Sequence, residues 1–207
     1  TLEQKKTIKN LFITYLFSTC LISISSCAMS EPSQPEQVNM MTPRTQAQNE
    51  IYLKHLKYEY RNRGRAFIGM ETMAKYSAGS DREAFFQAYY ELEVINQKIF
   101  ENMSKPLGVG YQANWFIRSG LNMFSYVGWR FVSPQQLIDI IIPYIPKLQE
   151  MESLANPEHK LFFAYIVAQE QAQLDASRAA KQERWDSGAK VLSEFIEKQA
   201  KVFIASL

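Results

Sequence analysis

Two cysteines, two histidines, eight glycines and eight prolines among 207 residues leave several classes of protein without their materials. Two cysteines cannot build a disulfide scaffold. The small glycine and proline counts exclude collagen-like and low-complexity chains. Charge of either sign is not in excess: 23 basic residues stand against 21 acidic ones. Residues 1–26 hold Lys5, Lys6 and Lys9 against Glu3, which accounts for the whole +2 surplus. The remainder is neutral and lacks the clustered basic face that nucleic acid requires, so no nucleic-acid partner is expected. Long apolar runs are also missing. The longest, Leu11–Ile24, has 14 residues, short of the roughly 20 that cross a bilayer.

What is present falls into three parts. In residues 1–26 a lysine-bearing start precedes the uncharged run, in the manner of an export signal. Ile24-Ser25-Ser26-Cys27 follows: an aliphatic residue, two small ones, then cysteine. This pattern resembles the lipobox of bacterial lipoproteins. The resemblance implies a diacylglyceryl thioether on Cys27, cleavage of residues 1–26 before it, and acylation of the new amine. Each buried methylene adds about 0.8 kcal/mol of membrane affinity, so two or three acyl chains such as palmitate anchor firmly. Cys20 lies inside the apolar run, behind a poorer match, Phe17-Ser18-Thr19. Ala28 after the cysteine implies the outer membrane, facing the periplasm, where the enterobacterial sorting rule applies.

Residues 27–47 contain Pro32, Pro35 and Pro43 among Ser, Gln and Glu, with no apolar period, and read as an extended tether. Residues 48–207 have helical apolar spacing and predict an all-α bundle of about five helices. Leu53, Leu56, Tyr60, Phe67, Met70 and Ala74 form a first stripe, which ends at Ser77–Ser80. Ser80 and Glu83 have capping-box spacing before a second stripe, Phe85, Ala88, Tyr89, Leu92, Ile99 and Met103. The third segment, about 112–132, is apolar on most faces, which predicts the buried centre of the bundle. Ser133-Pro134 starts a fourth segment, which Pro143 and Pro146 must interrupt. The last runs from Glu158 to about Ser206, with Gly188 as the expected bend.

Catalytic and metal constellations are hard to assemble from this inventory. His55 and His159 do not follow a glutamate by three, as a di-iron bundle requires, and no metal or cofactor is expected. Glu91 and Glu93 point about 200° apart on a helix. A hydrolytic acid pair would need distant residues such as Glu170 or Asp175. Gly108-Val109-Gly110 lacks the strand and further glycines of a phosphate cradle. Arg61, Arg63 and Arg65 read as a solvated helix face, with Arg61 and Arg65 able to meet lipid phosphates or an acidic partner.

These features predict a lipid-anchored, non-enzymatic helical interaction protein of the envelope, of the assembly-factor or toxin-immunity kind, with a protein partner and a membrane held through Cys27. The alternative is a carrier or sensor of an apolar ligand, with Trp115, Phe124, Trp129 and Tyr144 lining a pocket. A hydrolase using scattered carboxylates is the third reading. An enclosed apolar cavity favours the carrier; a filled core with an exposed aromatic patch favours the interaction protein.

Overall fold

A computed structural model describes residues 46–104 and 115–207 of the chain. The proposed signal, Cys27 and nearly all of the tether lie outside the described residues, as does the Gly108–Gly110 connection. The described chain is helical, without strands: α1 Gln46–Tyr76, α2 Glu83–Ser104, α3 Trp115–Gly128, α4 Pro134–Ile141, α5 Ile145–Leu154, α6 Lys160–Gln182, α7 Trp185–Phe195 and α8 Lys201–Ala205. A 3-10 turn at Pro157–His159 leads into α6, and a π-helical turn at Ile196–Ala200 carries α7 into α8.

Helix α1 carries a core stripe as expected: Leu56, Met70 and Ala74 are buried, joined by Tyr52 and Met73. It stops at Ser77–Arg82, where Gly79 adopts φ +76°, a left-handed value that disfavours side chains with a Cβ. Ser80 Oγ accepts from the Arg82 N–H at 3.2 Å. Glu83 reaches back one residue further than a capping box requires, accepting from the Gly79 N–H at 2.7 Å. Helix α2 then returns antiparallel, with Phe67 against Tyr90 and Tyr60 against Phe100. Helix α4 starts at Ser133-Pro134 as expected, and a reciprocal box caps it: Ser133 Oγ accepts from the Gln136 N–H, and Gln136 Oε1 from the Ser133 N–H. Pro143 falls in the break between α4 and α5, and Pro146 in the first turn of α5.

Helix α6 lies against both α1 and α2. Phe163 packs edge-on to Tyr52, and Phe162 to Phe100. Gln182 ends it, and the chain reverses at Glu183 (φ −120°, ψ −85°) into α7. Helices α1, α2, α6 and α7 form a four-helix core, with α3 laid on α1 and α4–α5 on α6.

Two expectations are corrected here. The buried centre is α6, with twelve buried residues, and not the segment 115–131. In α3 only Ser125 and Gly128 are buried among the described side chains, while Met123, Tyr126 and Val127 are exposed. The last segment bends at Glu183–Arg184, not at Gly188. Gly188 sits inside α7 at a close crossing, where a Cβ would lie 2.5 Å from the Ala176 carbonyl oxygen and 2.9 Å from the Phe85 ring. Among the described residues no helix is long and apolar enough to cross a membrane.

Gly188→Ala should therefore destabilise the fold by roughly 1–3 kcal/mol, since a backbone oxygen and a fully buried ring must both move. Gly120→Ala, where a Cβ meets nothing within 4 Å, should be neutral or stabilising by up to about 1 kcal/mol. Urea melts of the two variants check the contrast; equal effects refute the close crossing.

Candidate functional site

The bundle interior holds an ionic cluster. Glu59 and Arg63 lie one turn apart on α1, so both point at the seam where α2 and α6 meet it. Arg63 Nη1 donates to Glu93 Oε1 on α2 at 3.0 Å, and Nη2 donates to Glu170 Oε1 on α6. Nε lies 3.2 Å from Glu59 Oε1, an ion pair without hydrogen-bond alignment. The four side chains are between 1% and 7% exposed, so water does not screen them.

Neutral polar groups extend the cluster. Gln173 Nε2 donates to Glu93 Oε1 at 3.1 Å, and Gln169 Nε2 to Glu170 Oε1 at 3.4 Å. The Tyr165 hydroxyl donates to Asn96 Oδ1 at 2.6 Å. One guanidinium faces three carboxylates, so full ionisation would leave two net negative charges in a dry interior. Burial, with the repulsion of Glu170 and Glu93, pushes the Glu59 pKa up to about 7 against the pull of Arg63. Burial also raises Glu93, again opposed by Arg63. Burial alone would lower Arg63, but Glu170, Glu93 and Glu59 outweigh it and hold the guanidinium charged. Tyr89, buried beside Glu170 and Glu93, is held protonated.

Arg63 and Glu93 are thus not on a solvated face, as their sequence context predicts; both are core residues. Glu59, which sequence reasoning missed, had a signal: Leu56, Glu59, Arg63 and Met70 step by 3, 4 and 7, placing two charges on a buried stripe. The centre of the cluster is filled by Arg63, and among the described residues no group of three His, Cys, Asp or Glu side chains is arranged for a metal ion. His55 is exposed; His159 caps α6, with Nδ1 3.3 Å from the Tyr52 hydroxyl. Glu91 pairs with Lys201 at the surface, and Asp175 with Arg178.

The other predicted residues do not converge. Arg61 is exposed and Arg65 half-buried on α1. Phe124 and Trp129 are half-buried and pack on the core, Tyr144 likewise at the α4–α5 break. The Trp115 side chain lies outside what is described. Two open grooves, of about 650 and 420 Å³, are lined by other residues, including Trp185 and Arg184 in one and Tyr90 and Glu91 in the other.

A second feature lies on the outside. Helix α3 turns its small and polar residues inward: Asn122 Oδ1 accepts from the Thr72 hydroxyl at 2.9 Å, and Ser125 Oγ lies 3.4 Å from where a Cβ on Gly69 would be. Met123, Tyr126 and Val127 of α3, with Phe131 in the turn after it, face solvent, while Phe124 packs on the core. Met123 is 61% exposed, and Tyr126, Val127 and Phe131 between 41% and 48%. Exposed Tyr76 at the end of α1 joins them, edge-on to Tyr126 with ring centres 4.6 Å apart. A contiguous apolar patch on a protein surface marks a site of contact. No protein-family model, curated protein or solved structure matches this chain, so both features are read from their own chemistry.

The cluster makes stability depend on pH. A folded Glu59 pKa near 7 lies above its unfolded value of 4.5, so the folded state binds the extra proton between them. Stability is then fullest below about pH 4.5 and falls as pH rises toward 7. Glu59→Gln removes the penalty, and should gain on the wild type by about 2–3 kcal/mol between about pH 5 and pH 8. Denaturant melts across that range test it; a pH-independent difference would refute the placement of Glu59.

Proposed function

We propose that this chain is a lipid-anchored helical interaction protein of the bacterial envelope, one that works by surface contact. The observation that supports it is the outward face of α3. An apolar strip of Met123, Tyr126, Val127 and Phe131 lies exposed over a bundle whose interior is filled by Phe85, Phe86, Phe100, Phe163 and Leu92. Apolar area left in water is unfavourable by about 25 cal/mol per Å², so a persistent patch of this kind is explained by something that covers it. The sealed state of the acids fits the same reading. Glu59, Glu93 and Glu170 pair with Arg63, Gln173 donates to Glu93 and Gln169 to Glu170, and the buried acids offer no open face to a substrate.

The lipobox-like Ile24–Cys27 supplies the anchor in this reading. Acylated Cys27 holds the domain at a membrane, and the outer membrane, periplasmic side, is the location the residue after it favours. An assembly factor or an immunity protein would use such a domain, because either role needs placement at the membrane rather than turnover.

Cys27→Ala should accumulate an uncleaved precursor and take up no radiolabelled palmitate, while Cys20→Ala should be processed and labelled as the wild type is. Palmitate found in the Cys27→Ala protein would overturn the anchor. In parallel, chemical crosslinking in envelopes with the lipidated protein as bait reports what the domain touches.

A further inference from the structure

The α3 face can be covered by a folded protein, a second copy of this chain or a lipid surface, and charge discriminates between them. Elsewhere on the described surface opposite charges are paired at short range, as in Lys198 with Glu194, Lys201 with Glu197, and Arg178 with Asp175. Around the α3 strip they are not balanced in this way. Residues 115–131 contain Arg118 and Arg130 and no acid. Arg130 stands at the C-terminal end of the strip, whereas Arg118, seven residues before Ser125, lies on the side of α3 that faces α1. Both are exposed; Arg130 lies over the Trp129 ring at 4.6 Å. Exposed Lys75 adds a third cation, 5.3 Å from the centre of the Tyr76 ring. Among the described residues the acid Glu71 lies 3.7 Å from Arg118.

We infer that this face is a peripheral membrane site: the strip Met123, Tyr126, Val127 and Phe131 enters the interfacial layer of a bilayer containing anionic phospholipid, with Arg130 and Lys75 against its phosphates. The pattern is that of an interfacial helix, an apolar face flanked by cations with aromatic rings at headgroup depth. Tyr76 and Tyr126 suit that depth, having an apolar ring and a polar tip.

Chain length makes the site reachable. This step rests on the anchor proposed above. Eighteen residues separate Cys27 from Gln46, where α1 begins. Extended, they reach about 60 Å. Helix α1 has 31 residues, about 46 Å, and α3 packs against its C-terminal half. A domain lying on its α3 side therefore meets the bilayer that holds its own lipid. The second attachment is then intramolecular, and a weak interfacial affinity suffices.

The test uses the full chain, processed in a bacterial host and reconstituted into vesicles. Met123 is replaced by the photocrosslinker p-benzoylphenylalanine, with exposed Gln171 on α6 replaced likewise as control. Vesicles of phosphatidylcholine alone are compared with vesicles containing phosphatidylglycerol. Lipid adducts are expected at 123 and not at 171, with several-fold more in the anionic vesicles. Lys75→Gln with Arg130→Gln should lower their yield, each basic residue near an anionic surface contributing about fivefold in partitioning. A crosslinked dimer at 123 would overturn the inference in favour of a second copy. A protein adduct at 123 in whole envelopes, in place of lipid, would overturn it in favour of a protein partner. Equal yields at 123 and 171, or no lipid adduct from a protein that is folded by circular dichroism, would also overturn it. The mass of the mature N-terminus reports separately whether Cys27 is acylated, so loss of the anchor and loss of the docking face are told apart.

Discussion

Arg63 is the constraint around which the core is arranged. Its guanidinium contacts a carboxylate from its own helix, one from α2 and one from α6. Three helices distant in sequence are thereby brought to one point, with an orientation that apolar packing does not impose. Leucine and phenylalanine tolerate sliding by a fraction of a turn; a planar fork donating to two separate acids does not. A one-turn shift of α6 would remove Glu170 from Nη2 and leave a buried charge unpaired, a loss of about 3–5 kcal/mol for a broken buried pair. The cluster therefore selects one register of the bundle among several that its aromatic rings would accept.

Register and stability are separate quantities here. Desolvating four ionisable groups is unfavourable, and an apolar replacement of similar shape is often neutral or stabilising. The raised Glu59 and Glu93 values express that strain directly: one guanidinium does not compensate three acids in a dry core. Holding a proton on Glu59 lowers the net charge of the cluster from two negatives to one. Gln173 and Gln169 contribute donors without adding charge, and so satisfy carboxylate oxygens that a lysine or arginine would otherwise have to reach.

The helical class, the breaks near Ser77–Ser80 and Pro143–Pro146 and the start at Ser133-Pro134 were legible in the sequence, because each follows from short-range chemistry: apolar period, turn residues, a missing N–H. The identity of the central helix was not. Residues 115–131 are richly apolar, whereas α6 places Gln169, Glu170, Gln173 and Ser177 among its buried residues. Hydrophobic content alone ranks these two segments in the wrong order. The ionic cluster shows the same difficulty from the other side. A charge on a helical stripe looks solvated until its partners, here 30 and 107 residues away, are known. Only Glu59 with Arg63 is local, and that pair sits at stripe positions where apolar residues are expected.

The two departures are connected through α1. Its inner face is committed to α2 and α6 by Glu59 and Arg63. Further along, Gly69 and Thr72 on α1 meet Ser125 and Asn122 on α3. Small side chains there let α3 approach closely, but they also decide which side of α3 faces inward. With Ser125 and Gly128 against α1, the helical repeat carries Met123, Tyr126 and Val127 outward. Rotating α3 by half a turn to bury them would break the Thr72–Asn122 hydrogen bond and set Tyr126 and Met123 where the small Ser125 side chain now lies in ordinary contact with the Gly69 position. The exposed strip is therefore not loose packing that repacking could correct. It is the geometric consequence of a small-residue contact, and the same contact that seats α3 on the bundle holds its apolar side out to be covered.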